Sequence, residues 1–91
     1  MDLFHAHHQL ESTLRRLRGG WIQISNMPGI PHEAAMSALE SALACGSQID
    51  RTLSESLTVE EMRSIQEWAS SSAIVALAMR DALLALAGEA R

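Results

Sequence analysis

Apolar residues recur along this chain in steps of three and four, and the rhythm sets out three helices. The longest run falls over residues 59–87. Met62, Ile65, Ala69, Ser72, Ala76, Met79, Leu83 and Leu86 follow one another at the spacing of a helix with a single packed seam. Thr58 and Glu61 open it as a capping box. The hydroxyl accepts an otherwise orphaned backbone N–H, and the carboxylate reaches back to the N–H of the cap residue. Glu60 and Glu61 also sit at the positive end of the helix dipole, and Gly88 supplies the expected stop.

Nearer the N-terminus, Leu3, His7, Leu10, Leu14 and Leu17 keep the same rhythm and predict a helix over 2–18, ended by Gly19-Gly20. The next stretch, Trp21-Ile22-Gln23-Ile24-Ser25-Asn26, alternates at its isoleucines, so residues 19–31 read as an extended linker. Two arrangements suit it. The segment lays Trp21, Ile22 and Ile24 onto helices, or it pairs as a strand with its own copy across a dimer axis. Met27 to Pro31 form a rigid turn in which Gly29 can take a positive φ and Pro31 suits the start of a helix.

That helix is expected over 32–55, with Ala35, Leu39, Ala42, Gly46, Ile49 and Leu53 in step. Its connection to Thr58 is short. The helices over 32–55 and 59–87 should therefore form an antiparallel hairpin, meshing the small residues Ala35, Ala38, Ala42 and Gly46 with Ala69, Ser72, Ala73 and Ala76. The fold class is all-α and one domain: an N-terminal helix, an extended segment, then a long antiparallel helical hairpin.

Between Ala73 and Ala87 only Arg80 and Asp81 are polar, and a helix apolar nearly all round must be covered on several sides. About 30 helical residues span roughly 45 Å, whereas a compact chain of this length is only about 30 Å across. A second copy is the simplest cover, so a homodimer is expected. The first helix either packs on its own chain or serves as an arm exchanged between subunits. Candidate dimer or partner contacts are Leu3, His7, Leu10, Leu14, Leu17, Trp21, Ile22 and Ile24, with Ala69, Ala76, Met79 and Leu83 on the last helix. No membrane span is expected, because the uncharged runs fall well short of ~20 residues.

Composition narrows the chemistry. A hydrophobic content of 47% excludes disorder, while aromatics at 3% leave a core of Leu, Ala, Ile and Met. A net charge of −4 without any lysine argues against direct nucleic-acid binding. Arg15, Arg16 and Arg18 would then complement the dipole at the end of the first helix. The lone Cys45, beside Ala42, Leu43 and Ala44, reads as a buried small hydrophobe rather than a nucleophile. His5 and His8 share a helix face but have no local carboxylate or thiol to complete a metal site, and His32 lies apart. Gly19-Gly20 follows a helix, whereas a phosphate loop precedes one; Ser70, Ser71 and Ser72 have no base nearby in sequence. No catalytic residue, cofactor or metal is expected. Met1-Asp2-Leu3 lacks the basic start and apolar run of a signal peptide, which points to the cytoplasm.

The run Pro28-Gly29-Ile30-Pro31-His32-Glu33-Ala34-Ala35-Met36, with Ala38-Leu39, Leu43-Ala44, Trp68-Ala69 and Ala78-Met79-Arg80-Asp81-Ala82-Leu83-Leu84, resembles a family of short helical proteins common in pseudomonads. The resemblance covers residues 27–86. Members commonly have no assigned activity, so it implies no catalytic residues. The architecture is also similar to that of the small helical anti-activators of bacterial quorum sensing, dimers that occupy the dimerisation surface of a transcription factor. Together these imply a non-catalytic homodimeric regulator that binds and inhibits another bacterial protein, such as a transcriptional regulator. A secretion-system chaperone or adaptor is one alternative. A phage-encoded inhibitor of a host defence complex is another, since an acidic protein can occupy a basic nucleic-acid channel.

Overall fold

The computed structural model describes residues 3–89 and places them in three helices: α1 (Leu3–Ser25), α2 (His32–Ser54) and α3 (Val59–Glu89). Among the described residues there is no strand, so the all-α reading holds. The expected start of the first helix at Asp2 lies outside the described residues.

The largest departure from expectation is in α1. It does not stop at Gly19-Gly20 but runs on through Trp21 to Ser25, so the extended linker over residues 19–31 shrinks to the turn between Ser25 and His32. The reason lies in burial. Leu10, Leu14, Leu17, Trp21 and Ile24 are all buried and continue one helical stripe across the glycines. Each glycine costs a helix about 1 kcal/mol relative to alanine, whereas burying a large apolar side chain such as Trp21 or Ile24 contributes roughly 1.5–3 kcal/mol. Packing outweighs propensity. The helix then ends where Asn26 N–H donates to the Ile22 and Gln23 carbonyls and Met27 N–H donates to Ile24. Gly29 follows at φ 75°, in the left-handed region that glycine enters without steric cost.

α1 is also the centre of the packing. It lies antiparallel to α2: the His7 Nε2 donates to the Thr52 carbonyl, and Arg18 and Ile22 border one groove with Leu39 and Leu43. That bond satisfies one of the carbonyls left without a partner in the last turn of α2. α3 runs parallel to α1, with Leu10 facing the same groove as Met62 and Ile24 the same groove as Ala76. The most extensive antiparallel packing is between α1 and α2, while the backbones of α2 and α3 approach each other least.

Side-chain volume explains the arrangement. The inward residues of α2 include Ala38, Ala42 and Cys45, and those of α3 include Ala69 and Ala76. Two such small-residue faces leave a gap that neither can fill. The leucines, tryptophan and isoleucine of α1 pack into it and join both faces in one core. The burial of Trp21 has one cost, because its Nε1 finds no hydrogen-bond partner among the described residues.

The start of α3 is fixed as the sequence anticipates. Thr58 N–H donates to the Glu61 carboxylate at 3.2 Å, and Glu61 N–H donates to the Thr58 hydroxyl at 3.1 Å. Arg51, near the end of α2, reaches Glu61 at 3.0 Å and Glu55 at 3.3 Å, tying the connection together. The helix then continues through Gly88 to Glu89 rather than stopping at the glycine.

The capping box carries a prediction. The Thr58 backbone N–H and hydroxyl, with Arg51 adding to them, hold the Glu61 carboxyl below its ordinary value of 4.5. A carboxyl lowered by folding stabilises the native state above its ordinary value, and that contribution fades as the pH falls below it. The melting-temperature advantage of the wild type over Glu61→Gln should therefore be present at neutral pH and shrink on acidification below 4.5. An advantage independent of pH would contradict the geometry. Thr58→Ala should cost about 1 kcal/mol at neutral pH.

Candidate functional site

The twelve residues singled out for dimer or partner contact divide sharply. Leu10, Leu14, Leu17, Trp21, Ile24, Ala69, Ala76 and Leu83 are buried within the single chain, and His7 and Met79 are half-buried. Leu3 and Ile22 alone are exposed. Those buried residues of α1 and α3 are thus part of the protein's own core, whereas on α2 Leu39 and Leu53 of the expected seam are exposed and Ala38, Cys45 and Thr52 are buried instead. The apolar residues free for contact lie on other faces.

On α3 these are Val59, Ile74, Val75, Leu77, Leu84 and Leu86, with Ile74 69% exposed. On α2 they are Met36, Leu39, Leu43 and Leu53, with Leu43 72% exposed. Their spacing carries the signal that could have found them. Ile74, Leu77 and Leu84 form a second stripe beside the buried one, and Met36, Leu39 and Leu43 do the same on α2. α3 contains an 18-residue window of mean hydropathy 1.5, of which 11% is buried. By length and composition alone it can cross a membrane; Arg80 and Asp81 interrupt its uncharged runs but do not remove that property.

The shape agrees with incomplete coverage. The molecule measures 51 × 20 × 15 Å with a radius of gyration of 15.0 Å, against about 12 Å for a compact chain of 91 residues. Its accessible surface is 6189 Å². A compact monomer of 9.9 kDa would expose about 5,200 Å². The excess, about 1,000 Å², is comparable to the ~800 Å² that each partner contributes to a standard protein–protein interface.

Between α1 and the start of α3 lies a groove of about 650 Å³. Its floor includes Leu10 and Met62, and its rim carries His8, Arg16 and Arg63. A smaller groove of about 300 Å³ lies between the end of α1 and the second half of α3, bordered by Ile24, Met27, Leu77 and Leu84.

Reactive groups are placed elsewhere. Cys45 is fully buried; burial pushes its thiol up, and Arg18 offsets this only in part. A thiol held protonated is a poor nucleophile. Gln9 Nε2 donates to the His5 ring at 3.2 Å, and among the described residues no three metal-ligating side chains gather.

What fold and surface define is a small three-helix protein with an uncovered apolar helix. No protein-family model, no curated protein and no solved structure matches the chain.

Proposed function

We propose that this protein is a non-catalytic cytoplasmic regulator that acts as a homodimer and inhibits a partner protein by contact, with a transcriptional regulator as the partner class. The observation that carries the reading is the uncovered half of α3. Its Ile74, Leu77 and Leu84 remain exposed after the chain has built its own core, and the excess surface is of the size one interface would cover. A stripe of this kind is the usual means by which helices pair or seat in a groove. Native mass spectrometry of the tagged chain taken from its host tests the proposal. The expected species is a dimer with a stoichiometric transcriptional regulator, and adding the purified chain should then abolish that regulator's operator binding. A dimer with nothing attached, or a bound protein whose operator binding is unaffected, would overturn the partner half of the proposal.

The same helix favours one second reading, that α3 lies in a bilayer, since its apolar window is so little buried. Against it stand Arg80 and Asp81, each of which costs about 2.5–3.5 kcal/mol at a bilayer centre on insertion scales. Flotation with neutral lipid vesicles separates the two readings: a regulator stays with the soluble fraction, and a membrane helix floats.

A further inference from the structure

We infer that the groove between α1 and the start of α3 receives an acidic amphipathic helix of the partner protein. This rests on the reading that the chain works by protein contact, and it names the chemistry of what is contacted.

Charge is the first argument. The chain is acidic overall, with eleven acidic residues (Asp+Glu 11) against seven basic ones (Lys+Arg 7), yet no carboxylate lines this groove. Its rim carries Arg16, Arg63 and His8. Of the other described arginines, Arg15 pairs with Glu11, Arg51 with Glu55 and Glu61, and Arg80 with Asp81, while Arg18 forms no ion pair. Arg16 and Arg63 form no ion pair among the described residues. Nor does a helix terminus account for Arg16, because α1 runs on to Ser25 and leaves it in mid-helix, beyond the reach of the terminal dipole. Among the described residues no carboxylate pairs with the rim arginines.

Shape is the second argument. A small molecule is held by enclosure of most of its surface, but this groove is bounded by two parallel helices and open along its length. A rod suits it. A helix laid in the groove would set its apolar stripe on Val59, above the nearly buried Leu10 and Met62, and turn its carboxylates to Arg16 and Arg63, the helix-in-groove mode with complementary charge fixing orientation and register.

The test uses the full chain and a displayed library of peptides about five helical turns long. Leucines occupy the seam, and the flanking positions are drawn from Glu, Gln and Lys. The wild type should enrich Glu at the flanks. The Arg16→Glu, Arg63→Glu double variant should enrich Lys instead and bind the best wild-type peptide at least about 10-fold more weakly. Both arginines are exposed, and an unchanged melting temperature checks that the swap leaves the fold intact; Arg16→Gln with Arg63→Gln serves as a milder pair. Enrichment of the same peptides by wild type and variant would overturn the proposal. So would arginine-dependent binding of a single-stranded oligonucleotide with no peptide enriched. Peptides lost on Leu77→Asp with Leu84→Asp, but indifferent to the arginines, would overturn the groove while leaving protein contact standing. No enriched peptide, together with no second protein in the native spectrum, would end both.

Discussion

Leu14→Ala is expected to lower the melting temperature by roughly 12–24 °C. The side chain is fully buried at the middle of the α1 stripe, where α2 and α3 both rely on it to fill the space between their small residues. Truncating a buried leucine costs about 2–5 kcal/mol, with the larger values where the surroundings cannot collapse into the cavity. Taking about 3 kcal/mol, and about 4–8 °C for each kcal/mol in a domain of this size, gives that range. Leu43→Ala is the matched control, because Leu43 is 72% exposed; a surface substitution of this kind changes stability by about 0.5 kcal/mol or less. Were α1 a dispensable arm on a self-sufficient pair of helices, Leu14→Ala would shift the melting temperature no more than the control.

The second large effect concerns assembly. Leu77→Asp combined with Leu84→Asp should dissociate the proposed dimer while leaving the helices formed. Both side chains are half exposed within the chain, so the change removes little from its core. In a dimer each leucine would contribute roughly 1.5–3 kcal/mol of burial. Losing the pair, with carboxylates left at the contact, should weaken association by at least about 100-fold. Circular dichroism should show the wild-type helix signal. A loss of helix signal at all concentrations would mean that these residues belong to the core. An undiminished dimer would move the interface to another face.

How much of this was legible in the sequence depends on which side chains carried the signal. The capping box at Thr58 and Glu61 is a local motif with one geometry, and it forms as read. The four-three steps in α2 and α3 likewise mark true helices. Residues 19–25 depart from the extended expectation because Gly19-Gly20 and the alternating isoleucines are local signals, whereas the helix is held by Trp21 and Ile24 continuing the stripe of Leu10, Leu14 and Leu17. The spacing from Leu17 to Trp21 to Ile24 was available, and only burial decides between the two periods.

The same competition displaced the expected interface. A seam in steps of three and four says that a stripe is buried but not against what, and here α1 of the same chain covers it. The exposed stripe at Ile74, Leu77 and Leu84 stood out less, because α3 is apolar on so many sides that its faces blur into one another. The cationic rim at Arg16 and Arg63 joins residues distant in sequence, and no spacing rule connects them.

Sedimentation equilibrium of the untagged chain across a concentration series tests the central claim most directly, that the uncovered half of α3 is buried against a second copy. The expected mass is twice 9.9 kDa, falling to 9.9 kDa for the Leu77→Asp, Leu84→Asp variant. A wild-type mass of 9.9 kDa at every concentration would contradict it.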